Sequence, residues 1–197
     1  MSGSPVIARD MLSHLPNELL VKVFSHLSPI GDGHSLISTS KKFYNALIIE
    51  LYRKAGKELD WAPLFIGARD GNMRTLELCR QAGAQMDLQC VRPLGCPEYA
   101  MPVGSRPLNI AIDLFQTGVV MWLLFYGANP NQTNEERLLG VEPPLKTVIE
   151  MTRENYHRNR ERASRLRGPD QDKLTQKGRQ IRDALTRAGA RASILII

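Results

Sequence analysis

LPNELLVKVFSHL, at residues 15–27, is the stretch that says most about the architecture of this chain. Pro16 suits the first position of a helix, where its missing N–H costs no hydrogen bond, and the Glu18 carboxylate in the first turn complements the helix dipole. The apolar residues recur at helical spacing and form one stripe, made of Leu19, Leu20, Val23, Phe24 and Leu27. The stretch therefore predicts an amphipathic helix whose apolar surface needs a partner, within the chain or outside it.

A break and a second apolar group follow this helix. Residues 28–33, SPIGDG, end it, and Leu36 and Ile37 then lead into SKKF at residues 40–43. Together these residues resemble the F-box motif, which reads approximately L-P-x-E-L-L-x-x-I-[LF]-S-x-L before a Leu-rich helix that ends in S-[KR]-[KR]-[FW]. Residues 31–34 depart from the motif, which predicts a weaker second helix. The alternative interpretation is an ordinary amphipathic hairpin packed on the rest of the chain.

The resemblance implies a three-helix F-box-like domain at residues 12–56, after a disordered segment at residues 1–11. By resemblance, such a domain docks on a Skp-type adaptor of a cullin–RING ubiquitin ligase. The adaptor-binding residues implied are Leu15, Pro16, Leu19, Leu20, Val23, Phe24, Leu27, Leu36 and Phe43. Residues 48–61 predict a helix that runs directly from this domain into the next.

An internal repeat begins after residue 60. Pro63-Leu64 is followed by Gly83-Ala84, and Pro107-Leu108 by Gly127-Ala128 at the same spacing. A Pro at the start of one helix and a Gly just past the end of a second indicate a helix–turn–helix, with the Gly in a left-handed conformation. Pro144-Leu145 and Gly189-Ala190 open and close a third, interrupted copy.

These landmarks resemble the ankyrin repeat, which opens with T-P-L-H-x-A and closes with L-L-x-x-G-A. The resemblance implies a short, degenerate array of about three repeats at residues 57–197, with insertions near 88–105 and 152–180. An F-box followed by such repeats resembles a family abundant in filamentous fungi. A generic helical bundle is the alternative. The substrate-binding residues implied are Gln85, Asp87, Arg106, Asn109, Asp113, Asn129 and Asn131.

Positive charge is concentrated in one part of the chain. Residues 151–197 contain 12 Lys/Arg and 5 Asp/Glu, against 26 and 20 in the whole sequence. The basic segment 153–167 is compatible with RNA or DNA binding. However, acidic residues interrupt it and only Tyr156 accompanies it as an aromatic residue. A solvated face is therefore the preferred interpretation, and nucleic acid the less favoured partner.

The sequence predicts neither a catalytic nor a metal site. It has no phosphate-binding Gly-rich loop and no nucleophile elbow, and its four histidines lack the spacing of a ligand set. Cys90 and Cys96 have no further ligands nearby, so a zinc site is not expected. We therefore expect no cofactor, no metal and no enzymatic activity.

Membrane and export signals are not expected either. The longest apolar run, Val119–Phe125, is too short to cross a bilayer, and residues 1–10 lack the pattern of a signal peptide. Three cysteines do not make a disulfide framework. We expect a cytoplasmic or nuclear protein with no membrane partner.

The function that these patterns favour is a non-enzymatic adaptor. The F-box-like part would dock the Skp-type adaptor and the repeats would hold a protein substrate. Two alternatives stay open at this stage: an ankyrin scaffold without a ligase, and a nucleic-acid-associated protein that uses residues 153–167.

Overall fold

The computed structural model describes residues 12, 14–29, 31–91, 103–131, 143–152 and 169–191, and all their regular elements are helices. The prediction of a mainly α-helical fold is confirmed. The segment predicted as disordered, residues 1–11, lies outside the described residues. The helices are α1 Asn17–Phe24, α2 Asp32–Thr39, α3 Lys41–Glu58, α4 Ala62–Asp70, α5 Met73–Gln81, α6 Pro107–Asp113, α7 Thr117–Phe125, α8 over residues 144–152 and α9 Pro169–Arg187.

The chain forms two compact units. One consists of Met1–Pro63 with Thr75–Ala84, and the other of Leu64–Arg74 with Gln85–Ile197. The first unit contains α1, α2, α3 and most of α5. The second contains most of α4 and all of α6 to α9. The predicted boundary between domains at residues 56 and 57 stays a prediction.

The first unit is organised around the long helix α3, on which α1 and α2 both pack. Its core consists of apolar side chains from all three helices, namely Leu20, Phe24, Ile37, Phe43 and Leu47. Burying each side chain of this size contributes about 1.5–3 kcal/mol relative to leaving it in water. The three helices therefore stabilise one another through a shared interior.

The second helix forms despite the divergent sequence at its start. Helix α2 has 8 residues and begins at Asp32, inside the stretch that departs from the motif. Gly33 is buried, and a Cβ there would lie 2.6 Å from the carbonyl oxygen of Ser28 and 3.0 Å from the Phe24 ring. Only glycine fits so close an approach. The departure therefore accommodates packing against α1.

The prediction of a continuous helix through residue 61 is wrong. Helix α3 ends at Glu58, and both Asp60 and Trp61 adopt left-handed conformations, with φ of 47° and 58°. The Trp61 ring lies over Gly56, where a Cβ would be 2.4 Å from it. The two left-handed residues therefore turn the chain after α3, and the absence of a side chain at Gly56 leaves room for the Trp61 ring.

Backbone geometry recurs at the ends of the predicted repeats. Gly83, Gly127 and Gly189 have φ of 100°, 92° and 85°, which confirms the left-handed conformation predicted for the first two. In each copy the next residue donates its N–H to a carbonyl five residues earlier: Ala84 to Cys79, Ala128 to Leu123 and Ala190 to Leu185. Such bonds satisfy carbonyls at a helix end, so three helices terminate in the same way.

The turns inside the first two copies also correspond. Asn72 donates its N–H to the Gly67 carbonyl, and Gln116 donates its N–H to the Ala111 carbonyl. Gly71 has a φ of 71° and its counterpart Phe115 has 51°. A phenylalanine therefore occupies a conformation that usually favours glycine.

The first predicted insertion is partly covered by the described backbone. The one near 88–105 is closed at its base, where the N–H of Cys90 bonds the Ser105 carbonyl and the N–H of Gly104 bonds the Cys90 carbonyl. Residues 92–102 lie outside the described residues.

The second predicted insertion, 152–180, is helical in its later part. Helix α9 starts at Pro169, and Gly178 within it is buried against Thr152 and Phe115. Most of the other described side chains up to residue 180 are exposed, and the bounds of this insertion stay a prediction. The earlier part, 153–168, lies outside the described residues.

Candidate protein-interaction site

Helix α1 is positioned by its own start signal. Pro16 lies at its N-cap with φ of −57°, one residue before its predicted place, and its carbonyl accepts the N–H groups of Leu19 and Leu20 at 3.1 Å. Glu18 lies in the first turn. Because proline has no N–H and carboxylates favour this end of a helix, the sequence defines where α1 begins.

The predicted apolar stripe of α1 divides into two faces. Leu20 and Phe24 are each 1% exposed and belong to the interior, whereas Leu19 and Val23 are 47% and 43% exposed. Side chains four residues apart share a face, so each pair forms its own row. The single adaptor-binding stripe is corrected to an internal row and an external row.

The remaining implied adaptor-binding residues also divide in this way. Phe43 is buried in the core, and Leu15, Leu27 and Leu36 are half-buried against it. Pro16 is exposed. The buried residues among them lie beneath the external row of Leu19 and Val23 and support it. Whether any of these residues binds an adaptor stays a prediction.

Sequence reasoning missed the contact that closes the far end of α1. The Lys54 ammonium on α3 donates to the carbonyl oxygens of Ser25, at 2.7 Å, and of Leu27. Helices leave their last carbonyls without internal partners, and a cation there is favourable. Lys54 also lies 3.5 Å from the Glu58 carboxylate. Nothing in local periodicity relates Lys54 to α1.

The motif residues at 40–43 have a structural role that is visible in the sequence. Ser40 is the N-cap of α3, and its hydroxyl accepts the N–H of Phe43 at 3.2 Å. Side-chain capping of this kind is worth about 1 kcal/mol. The same four residues therefore start α3 and place Phe43 in the core.

In the second unit, several implied substrate-binding residues bond to one another. Arg106 is 7% exposed, and its guanidinium pairs with the Asp87 carboxylate and donates to the Asp87 carbonyl at 3.1 Å. The Asp87 carboxylate also accepts the N–H of Asn129 at 3.0 Å. Arg106 is therefore mostly internal, because a buried guanidinium needs these partners, and its role in substrate binding stays a prediction.

The network continues to the end of α9. Asn129 accepts the N–H of Asn131 at 2.9 Å, and the Asn131 side chain bonds the Gly189 carbonyl at 3.2 Å and the N–H of Arg191 at 2.8 Å. Asp87, Asn129 and Asn131 therefore connect three loops. Because their side chains form these internal bonds, the three residues hold the loops in place.

The other implied substrate-binding residues are more accessible. Gln85 and Asp113 are exposed, and Asn109 is half-buried. Desolvation by burial raises the pKa of the Asp113 carboxyl to about 6, although the residue as a whole remains exposed. Within the part of the chain that the structure describes, no hydrogen bond or ion pair joins these three residues.

The described residues hold no cluster of three or more side chains suited to a metal ion. Among them, no helix is both long and apolar enough to span a membrane. Cys79 and Cys90 are both buried, and burial raises the pKa of the Cys79 thiol to about 12. The basic segment 153–167 lies outside the described residues, so its role stays a prediction.

Comparison with known proteins agrees with the N-terminal geometry. Residues 12–56 match the family model described as F-box-like, and these residues contain α1, α2 and most of α3. Neither a curated protein nor a solved structure matches the chain significantly. The chain therefore carries an F-box-like domain, and F-box domains bind Skp-type adaptors. The ankyrin and fungal resemblances stay predictions.

Proposed function

We propose that this chain is a non-enzymatic adaptor that joins a protein substrate to a cullin–RING ubiquitin ligase. The observation that carries the proposal is the F-box-like match at residues 12–56, on a unit whose first helix exposes Leu19 and Val23. F-box domains are generally interaction modules rather than enzymes. The ligase chemistry then belongs to the partners, and this chain supplies proximity.

The packing of α1 supports a docking role for its external row. Leu20 and Phe24 anchor the helix in the core, while Lys54 bonds the backbone at its end. Leu19 and Val23 are therefore presented on a helix held on two sides. Presenting apolar side chains on a rigid element lowers the ordering cost of binding.

The repeats of residues 57–197, interpreted as ankyrin-like, would hold the substrate. Three helix ends with the same left-handed glycine geometry support this interpretation. The bonds of Asp87, Asn129 and Asn131 fix the loops that follow those helices. Repeat proteins use such regularly placed loops and helix faces as binding surfaces.

The test is co-expression of the full chain with a Skp-type adaptor, followed by size-exclusion chromatography. Buried apolar anchors are worth about 2 kcal/mol or more each, so Leu19→Asp with Val23→Asp should weaken the complex about a thousandfold. Ile149→Asp is the matched control, because Ile149 is 44% exposed in the second unit. That variant should co-elute as the wild type does.

Two results would contradict the proposal. One is a wild-type chain that elutes apart from the adaptor, and the other is a double variant that binds undiminished. Circular dichroism of the double variant should match the wild type, because both side chains face water. Leu20→Asp cannot replace it, since a charge at this buried position would disrupt the core itself.

A further inference from the structure

One side of α7 exposes large apolar side chains. Met121 is 50% exposed, Phe125 80% and Tyr126 38%, while Val120 and Leu123 on the other side are buried. The rings of Phe125 and Tyr126 meet edge to face with their centroids 4.9 Å apart, and the ring centroids of Trp122 and Tyr126 are 4.6 Å apart. We name Met121, Trp122, Phe125 and Tyr126 the aromatic face.

Helix α9 packs against α7 and runs in the same direction. Midway along α9, Gly178 lies against Phe115, two residues before α7, and just past the end of α9 the Gly189 carbonyl bonds Asn131, which follows α7. Since both helices rise by the same amount per residue, Arg182 and Arg187 lie along the length of α7 that contains Met121 and Phe125.

The described side chains of α9 carry mostly positive charge toward water. Three exposed arginines, Arg179, Arg182 and Arg187, lie on the side of α9 away from its buried residues and form what we name the basic face, and Asp183 is the acidic residue among them. Arg182 lies 3.4 Å from the Asp183 carboxylate, and Arg187 donates to the Asp183 carbonyl at 3.2 Å. Because Asp183 offsets one charge, the face keeps a net positive balance.

We propose that the aromatic face and the basic face together bind an acidic peptide segment that carries a large apolar anchor. The anchor would cover Phe125 and Met121, which lie on a helix without any charged residue. Carboxylates beside the anchor would pair with Arg182 and Arg187. Aromatic residues, Met and Arg are the side chains enriched at protein interfaces, and here they lie on two helices that pack together.

A protein segment fits this surface better than a nucleic acid. Stacking of bases needs open ring faces, but Phe125 and Tyr126 meet each other at 88°, so one ring covers the face of the other. Asp183 places a carboxylate within the basic face, which disfavours a run of phosphates. Met121 adds apolar surface that suits an aliphatic or aromatic side chain.

The inference deepens the proposed function, because the captured segment would belong to the protein substrate. It is tested without any ligase component, so that failure of adaptor docking and failure of this surface remain distinguishable. The probe is a short fluorescein-labelled peptide with a central Leu-Phe pair flanked by Asp and Glu. Fluorescence polarisation against the full chain gives the dissociation constant.

Phe125→Ser should weaken peptide binding about tenfold or more, and Arg182→Gln with Arg187→Gln should do the same. Only the arginine effect should fade as salt is raised, since exposed charges are screened. The matched controls Ile149→Ser and Arg74→Gln alter exposed residues elsewhere in the second unit and should bind as the wild type does. Unchanged thermal midpoints in all variants would show that the fold is intact.

Peptide controls complete the test. Replacing the acidic residues by Gln and Asn, or the Leu-Phe pair by Ser, should each weaken binding to the wild type. The proposal is overturned if the acidic peptide binds no better than these two, or if the variants at Phe125, Arg182 and Arg187 bind it like the wild type. Tighter binding of a single-stranded RNA of similar length would overturn it as well.

Discussion

Replacing Lys54 by methionine should destabilise the F-box-like unit through its backbone contacts alone. Methionine keeps the apolar stem but removes the ammonium that bonds the carbonyls of Ser25 and Leu27. The side chain is only 17% exposed, so water replaces these bonds incompletely. Hydrogen bonds to a charged group are worth about 1.5–3 kcal/mol, which gives an expected loss of about 2 kcal/mol.

The assay is urea unfolding of the full chain in a Trp122→Phe background, where Trp61 reports on α3 through its contact with Gly56. With a slope of about 1–3 kcal/mol per molar urea, a loss of about 2 kcal/mol should lower the midpoint by roughly 0.7–2 M. Lys57→Met is the matched control, since it removes an exposed charge from the same helix. It should change stability by less than about 0.5 kcal/mol.

A second control separates backbone bonding from ion pairing. Glu58→Gln removes the carboxylate 3.5 Å from the Lys54 ammonium and leaves the two carbonyls in place. Exposed pairs are worth about 0.2–1 kcal/mol, so this variant should cost less than Lys54→Met. The reasoning is refuted if Lys54→Met is no more harmful than Lys57→Met, or no more harmful than Glu58→Gln.

Three further predictions follow from individual environments. Gly33→Ala should lower the thermal midpoint, because the added Cβ would lie 2.6 Å from the Ser28 carbonyl oxygen and overpacking of this kind costs about 1–3 kcal/mol. Gly118→Ala is the control, because the space around Gly118 is open, and it should be neutral or stabilising. Cys79 should resist alkylation at pH 8 in the folded protein and react in urea, as mass spectrometry can show, because its thiol has a pKa of about 12. Asp113 has a folded pKa of about 6, above its unfolded value of 3.8, so its contribution to stability is full below about pH 4 and is lost as the pH rises through 6. Asp113→Asn should therefore make the thermal midpoint less dependent on pH between these values, and an unchanged pH profile would contradict this.

The sequence indicated the elements of this protein wherever the information is local. Pro16 marks the start of α1, and Ser40 caps α3 within three residues of itself. Gly83 and Gly127 mark helix ends because a left-handed residue is needed there and glycine adopts that conformation without strain. Such signals involve neighbours in the chain, so they can be interpreted without knowing the fold.

Periodicity predicted that α1 is amphipathic but not which of its rows is internal. All five apolar residues of α1 and its end lie on one broad stripe, and only the position of α3 decides that Leu20 and Phe24 are covered while Leu19 and Val23 are not. The candidate site could therefore be located from the sequence, but its accessible side chains could not be distinguished from those that support it.

Tertiary structure alone decided the contacts between distant residues. Lys54 meets the end of α1, and Arg106 is buried beside Asp87, although composition favours exposure for both cations. Phe115 takes a left-handed conformation with its ring beside Gly178, far along the chain. Each of these three environments depends on a partner that no local pattern specifies. The free-energy cost of burying a charge or straining the backbone is offset by groups that only the folded chain brings close.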